Sequence, residues 1–239
     1  LENAATDFDK IQVQANKIEW FNMKNRGDAA VDLGVSVLNT LGQKIAAKPS
    51  ILTVLLSFFT TRRSIGNKTP TEILNLPLKT DPIELAALDI FSSLATAAYF
   101  TRPILLPLLI CKMVQMEEKT ISPNAGFNYV SFGLLIGPFF GKEYKKGYKY
   151  GCIGLEIAKK FPQNRTVGRA KLAFGIHLQP YCESFTEMHE FLRQVPQDTR
   201  HYGDIEYYAY CYLVTVTWGL HSGKNLKDLS EMIPEHAAY

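Results

Sequence analysis

The sequence predicts an all-α protein, built as a superhelical array of antiparallel helix hairpins like a tetratricopeptide-type α-solenoid. Along most of the 239 residues, apolar side chains recur at spacings of three and four, which is the period of an amphipathic helix. Alternating strand patterns are almost absent, and glycine, proline and capping residues interrupt the helical stretches at short intervals. Helical hairpins of similar length stacked in order are the signature of a solenoid.

About ten or eleven helices are expected, and most have a start signal, since Ser, Thr and Asp can cap a helix and proline fits its first turn. In chain order the starts are predicted at Thr6 or Asp7, Asp28, Pro49, Thr80 or Asp81, Pro103, Ser122, Lys142, Arg165, Ser184, Asp204 and Asn225. Pro196 must kink or end the helix that begins at Ser184, because proline removes a backbone hydrogen bond.

The spacing of glycines supports a repeat and gives no sign of a domain boundary. Gly141 and Gly223 each end one helix before a further helix, and they lie 82 residues apart, or two hairpins of 41. We therefore predict one repeat domain over residues 1–239. The acidic, polar start "LENAATDFDK" is typical of a fragment of a larger protein.

Residues 202–224, "YGDIEYYAYCYLVTVTWGLHSGK", hold five tyrosines and a tryptophan. An inner solenoid helix packs against its hairpin partner and both neighbours, so it is apolar nearly all round. We predict that this helix is buried on nearly every side and is not an aromatic ligand box. Tyr207 and Tyr210 lie off its main stripe and are predicted as exposed partner contacts.

The formal net charge of +3 does not demand a polyanionic partner. Residues 142–171 nevertheless hold nine basic side chains and two acidic ones. A solvated helix face is one interpretation, and an acidic protein partner bound by Lys142, Lys146 and Lys149 is the other. Nucleic acid is not expected, because the aromatic side chains of this segment turn towards the core and do not form an outward stacking platform.

The sequence contains none of the common catalytic patterns, including GxxxxGK[ST], HExxH and GxSxG. No enzyme activity, cofactor or metal is therefore predicted. His189 is expected on an exposed helix face and His177 in the core. An all-α lyase is the remaining catalytic hypothesis, and its sign would be a deep pocket with convergent ionisable groups.

Four widely spaced cysteines without a CxxC pair indicate buried, reduced thiols in a cytoplasmic protein. No membrane-spanning segment is expected. The apolar stretch after Pro82 contains Asp89, and the uncharged stretch after Ser122 carries two prolines.

The chain resembles the helical region of the multi-sensor signal transduction multi-kinases, very large signalling proteins of bacteria and some fungi. The segments that carry the resemblance are "GDAAVDLGVSVLNTLGQKI", "TEILNLPLKTDPIELAALDIFSSLATAAYF", "GKEYKKGYKYGCIGLEIAKKF", "AKLAFGIHLQPYCESFTEMHEFLRQ" and "HYGDIEYYAYCYLVTVTWGLHSGKNLKDL". The matching positions, which are structural in that family, are Gly141, Tyr144, Gly147, Tyr148, Gly203, Asp204 and Gly223.

The resemblance implies a tetratricopeptide-type scaffold that lies between an ATPase domain and a GAF-type sensor with a histidine kinase output. We therefore expect a non-catalytic, protein-binding scaffold in signal transduction. It would couple the ATPase switch to the sensor and kinase domains. The alternative is a stand-alone regulator that binds peptides or proteins with the same fold. A homodimer is plausible as well, because a solenoid cut from its parent exposes an apolar end face.

Overall fold

The computed structural model describes residues 7–201 and 203–232, and it is all-helical over those residues. The chain divides into two compact units between Ala125 and Gly126. The only β-type pairing among the described residues is a single bridge between Leu78 and Ile121. The all-α prediction is confirmed, whereas the single repeat domain stays a prediction.

The first unit is built around one long helix, α5. Its helices are α1 (Asp7–Met23), α2 (Gly27–Thr40), α3 (Ile51–Gly66), α4 (Pro70–Leu74), α5 (Pro82–Thr101) and α6 (Leu105–Met116). α5 packs against α1, α2 and α6, and α3 packs on α6. Nearly every residue between Ala86 and Ala98 is buried. A helix apolar on most of its surface is therefore the core of this unit.

Capping side chains set several of these helix starts, and α5 begins as the sequence predicts. The Asp81 carboxylate accepts from the backbone N–H groups of Ile83 and Glu84, with Pro82 in the first turn. The Ser50 hydroxyl accepts from the N–H of Thr53, so α3 begins after Ser50 and the predicted place of Pro49 in its first turn is wrong. Each cap satisfies donors that the first turn of a helix leaves without a partner. Thr6, the alternative first cap, lies outside the described residues.

Among the described residues, only α5 is long and apolar enough to cross a bilayer, and 67% of its apolar stretch is buried inside the protein. Its packing against three neighbours accounts for its apolar composition. The expected absence of a membrane span stays a prediction.

The second unit has shorter helices, which pack mostly on helices one or two places away in the chain. They are α7 (Ala125–Leu134, continued by a π-helical turn Leu135–Phe139), α8 (Tyr144–Lys160), α9 (Thr166–His177, followed by a 3₁₀ turn Gln179–Tyr181), α10 (Phe185–Leu192), α11 (Val195–His201), α12 (Ile205–His221) and α13 (Leu226–Met232). Pro196 ends the predicted long helix, so α10 and α11 are separate. This break and the short α4 raise the helix number above the ten or eleven expected.

Glycines on α7 and α8 bring the two helix backbones into direct contact. Gly126 faces Gly154 and Gly133 faces Gly147, so both helices use glycines seven residues apart in an antiparallel register. A Cβ added at Gly133 would lie 2.5 Å from the Gly147 carbonyl oxygen, and one added at Gly147 would lie 2.5 Å from that of Gly133. Contacts this short exclude any side chain at the crossing.

A buried ion pair joins α9 to the start of α12. Arg169 Nε donates to Asp204 Oδ2 over 2.6 Å, and the two side chains are 4% and 5% exposed. The guanidinium carbon also lies 4.5 Å from the centre of the Tyr207 ring. Asp204 precedes α12 as predicted, but its carboxylate makes no capping hydrogen bond to the helix. The predicted capping role of the Asp204 side chain is therefore wrong, because Arg169 takes its carboxylate.

The prediction that the tyrosine-rich helix is buried on nearly every side is wrong. α12 buries a single stripe, Tyr207, Cys211, Thr215 and Gly219. On its outer side Ile205 is 68% and Leu213 64% exposed. The helix packs on α9, α10, α11 and α13, and its exposed side carries Ile205 and Leu213.

His189 is buried, contrary to the expected exposed position. It is 2% exposed, and its ring lies against Gly219 of α12, where a Cβ would approach Nε2 to 2.9 Å. A glycine in the facing helix opens the space that the imidazole fills. Burial, followed by the charge of Lys224, lowers the pKa of His189.

The stability of the protein should fall in mild acid because His177 is held neutral. Burial lowers the pKa of His177 to about 4 from an ordinary value of 6.5. The unfolded chain therefore binds the proton first as the pH falls, so stability is lost between pH 6.5 and the folded value. We expect a loss of about 2 kcal/mol at pH 5 relative to pH 7.5 from this group.

Urea unfolding of wild-type protein and His177→Gln at both pH values measures the effect. The variant should lose less stability on acidification, because glutamine does not titrate in this range. Equal losses in the two proteins would remove His177 as the cause.

Candidate functional site

The N-terminal half of α8 presents lysines to solvent. Lys142 lies just before the helix with a positive φ of 51°, and its side chain is exposed. Lys145 and Lys149 are exposed one turn apart, and Lys146 is half-buried, with Nζ 3.9 Å from Glu143 Oε2. We call Lys142, Lys145, Lys146 and Lys149 the lysine face. The structure brings together the three lysines that the sequence singled out and adds Lys145.

The other basic residues of this segment behave differently. Arg169 is buried against Asp204, and Lys171 pairs with Asp198 over 2.7 Å. Lys159 pairs with Glu156 on α8 itself. Lys142, Lys145 and Lys149 make no ion pair with any residue in the described ranges. The unpaired charges of Lys142, Lys145 and Lys149 thus lie within eight residues at the start of α8.

The helix dipole opposes this arrangement. The N-terminus of an α-helix carries a partial positive charge, which favours acidic side chains in the first turn. The first turn of α8 contains no acidic residue and instead contains Lys145 and Lys146. A cation there costs about 0.3–1 kcal/mol at an exposed position. Folding stability therefore does not explain these lysines.

A pair of stacked tyrosines borders the lysine face. The rings of Tyr144 and Tyr181 lie 4.4 Å apart with an interplanar angle of 16°, and they are 38% and 51% exposed. Tyr144 begins α8, and the 3₁₀ turn after α9 supplies Tyr181. The prediction that the aromatic side chains of residues 142–171 turn towards the core is therefore wrong for Tyr144, because Tyr181 gives its ring a partner at the surface. A flat exposed aromatic surface beside free ammonium groups can contact both an apolar and an acidic side chain of a bound segment.

Burial and a neighbouring carboxylate keep three side chains near the stacked tyrosines, Tyr148, Cys152 and Cys182, in their neutral forms. The Tyr148 hydroxyl donates to a carboxylate oxygen of Glu183. Burial and then the Glu183 carboxylate raise the pKa of Tyr148. Burial also raises the pKa of the Cys152 thiol and of the exposed Cys182 thiol. Cys182 is a free cysteine at the surface, so its expected burial is wrong.

Tyr207 and Tyr210 are not part of an exposed contact. Tyr207 is 9% exposed and packs in the core cluster of α9, α10, α11 and α12. Tyr210 is partly buried against the same cluster, and its hydroxyl donates to Glu206 Oε1 over 3.2 Å. The predicted exposure is therefore wrong for Tyr207, which is buried, and Tyr210 is only partly exposed. The cause is the buried stripe of α12, which runs through position 207 and not through 205 and 208.

Sequence reasoning missed Lys145, Tyr144 and Tyr181 as a group. Lys145 lies in line with Lys149 on the helix surface, a signal that the four-residue spacing already contained. Tyr181 reaches Tyr144 only through the turn that follows α9. No local pattern connects two residues 37 positions apart in the sequence.

The first unit has an open cleft of about 490 Å³ between the end of α5 and the start of α3. Arg102 in its wall is already bound by Asp28 over 3.0 Å and by Asp32 over 2.8 Å. These bonds tie α2 to the end of α5 and leave the guanidinium occupied. In the described ranges no three His, Cys, Asp or Glu side chains gather as a metal site requires.

No protein-family model, no curated protein and no solved structure matches this chain.

Proposed function

We propose that this chain is a non-catalytic protein-interaction module whose lysine face binds an acidic segment of a partner protein. The observation that carries the proposal is the lysine face itself: Lys142, Lys145 and Lys149 form no ion pair in the described ranges, and Lys145 and Lys146 oppose the dipole at the start of α8. Charges that cost stability in the free protein are compensated when a carboxylate-bearing partner binds. The stacked Tyr144 and Tyr181 supply an aromatic contact beside them.

The proposal includes a solenoid of helix hairpins as the architecture. Its support in the second unit is the order of packing, because α8 contacts α9, α9 contacts α10 and α11, and α12 contacts α13. Helices that pack mainly on their chain neighbours are what stacked hairpins require. In the first unit α3 packs on α6, so a simple order of hairpins finds less support there.

The wider context rests on the resemblance of the sequence. We propose a scaffold within a large cytoplasmic signalling kinase, which couples an ATPase switch to sensor and kinase domains. The alternative is a stand-alone regulator that binds proteins. Sequencing the flanking reading frame separates the two, because the first requires a GxxxxGK[ST] ATPase upstream and a sensor or kinase downstream.

Binding should depend on the lysine face. A display library of peptides is selected on the wild-type protein, and the enriched peptides are expected to be acidic. Isothermal titration calorimetry should show that Lys145→Glu with Lys149→Glu weakens their binding at least about tenfold. Lys227→Glu on α13 reverses the charge of an exposed lysine outside the lysine face, and it should leave binding unchanged. Titration with polyglutamate measures the part of the binding that depends on charge alone.

The same double variant should be more stable than the wild-type protein. Lys145→Glu replaces a cation by an anion in the first turn of α8, so we expect a gain of about 0.5–1 kcal/mol in the free energy of unfolding. Selected peptides that bind equally well to wild-type protein and the double variant would refute the proposed function, as would peptides without acidic residues.

A further inference from the structure

α3 has an exposed apolar stripe on the side that faces away from α6. Leu52 is 66%, Leu56 58% and Phe59 59% exposed, and they follow one another at helical spacing. Ile51 beside them is 65% exposed. The opposite side of the helix is in the core, through Val54, Phe58, Thr61 and Ile65. Single exposed leucines are common on protein surfaces, but four large apolar side chains within nine residues form a patch.

Basic residues lie at both ends of this stripe. Lys48 lies in the segment just before the helix, four residues ahead of Leu52 in the sequence, and Arg63 comes one turn after Phe59 on the same line of the helix. Both side chains are exposed. From residue 33 to residue 71 the sequence holds five lysines and arginines and no acidic residue. The acidic residue Glu118, from outside this stretch, accepts hydrogen bonds from Ser64 and Lys68. Ser64 is not one of the residues of the apolar stripe.

We propose that α3 docks this protein on the surface of an anionic phospholipid membrane. Leu52, Leu56 and Phe59 enter the boundary between headgroups and acyl chains, with the helix parallel to the surface. Lys48 and Arg63 then reach back to the headgroup phosphates and carboxylates at the two ends. Ile104, which is 52% exposed, lines the same cleft as Lys48 and enlarges the apolar area at that end.

The distribution of charge argues against a second copy of the chain as the occupant. An antiparallel pair of α3 helices would place Lys48 opposite Arg63, and a parallel pair would place each cation opposite itself. Both arrangements bring like charges together at both ends of the contact. The stripe is also aliphatic with one phenylalanine, and it lacks the tyrosine, tryptophan and polar side chains that are enriched at protein interfaces.

Vesicle co-sedimentation tests the proposal with the whole chain. The vesicles are phosphatidylcholine alone, and phosphatidylcholine with phosphatidylserine in a ratio of about two to one. We expect binding to the mixed vesicles, weakened by salt. Leu56→Gln with Phe59→Gln should reduce binding about tenfold or more, and Lys48→Glu with Arg63→Glu about fivefold for each cation removed. Leu213→Gln, at an exposed leucine of α12, and Lys227→Glu are the matched controls.

All these substitutions are at exposed positions, so circular dichroism should show folded protein in each case. The absence of binding to either vesicle would overturn the proposal. Binding that falls as much in the controls as in the α3 variants would overturn it too. A concentration-dependent dimer that the Leu56 and Phe59 substitutions abolish, without any vesicle binding, would assign the stripe to a second copy. The lysine face is unchanged in every variant, so this outcome is independent of the proposed protein partner.

Discussion

Replacing Arg169 by methionine should lower the free energy of unfolding by about 3–5 kcal/mol. The substitution keeps much of the side-chain volume but removes the ion pair with Asp204 and the contact with the Tyr207 ring. The Asp204 side chain is 5% exposed, so its carboxylate would stay buried without a counter-charge. Removing one member of a buried pair costs far more than removing one member of an exposed pair. Urea unfolding at pH 7 is the measurement.

Two further variants separate this effect from a general loss of packing. Arg169→Met combined with Asp204→Asn removes the uncompensated charge, and we expect it to recover about 2 kcal/mol. Lys171→Met breaks the neighbouring pair with Asp198, whose side chains are 32% and 29% exposed, and should cost less than about 1 kcal/mol. A cost for Arg169→Met no greater than that for Lys171→Met would show that burial does not strengthen the first pair.

Alanine at Gly147 should destabilise the second unit by about 3 kcal/mol. Its new Cβ would lie 2.5 Å from the Gly133 carbonyl oxygen, which is backbone and cannot rotate away. The helices α7 and α8 must then separate, and the contacts on both sides of the crossing weaken together. Thermal unfolding followed by circular dichroism should show a large drop in Tm, because 1 kcal/mol corresponds to several degrees in a domain of this size.

Gly66→Ala is the matched control, because it is also a helical glycine but has no atom within 4 Å of the added Cβ. Alanine favours the helix over glycine, so this variant should be as stable as the wild type or up to about 1 kcal/mol more stable. If the two substitutions have the same effect, the close crossing of α7 and α8 does not contribute to stability as argued.

Local signals predicted the helices well. Asp81 with Pro82, and Ser184, each begin a helix where the sequence predicts a cap, and Pro196 separates α10 from α11. A cap acts over four residues, so it is visible in the sequence alone. These signals determine where a helix starts, but they do not indicate which other helix it packs against.

Burial was predicted less well, and glycine is one reason. The buried side of α8 includes Gly147, Gly151 and Gly154, whereas the sequence suggests the side with Tyr144 and Tyr148. Glycine contributes almost nothing to an apolar pattern, yet it allows two backbones to touch. On α12 the apolar residues surround the helix, so periodicity cannot choose the buried side. His189 was misplaced for a related reason, because the space for its ring comes from Gly219 on another helix.

The lysine face was partly visible in the sequence. The count of basic residues indicated the segment, and three of its four lysines followed from helical spacing. The ion pairs of Arg169 with Asp204 and of Lys171 with Asp198 depend on partners 35 and 27 residues away. Tertiary contacts of that range decide which charges remain unpaired, and no pattern in the sequence reports them.

The glycine crossing of α7 and α8 has a mechanical consequence. Most helix pairs touch through side chains, which can change rotamer and absorb a small displacement. Between Gly133 and Gly147 there is no side chain to yield. A displacement of α8, which carries the lysine face, should therefore displace α7 by nearly the same amount, so the two helices would move as one rigid unit.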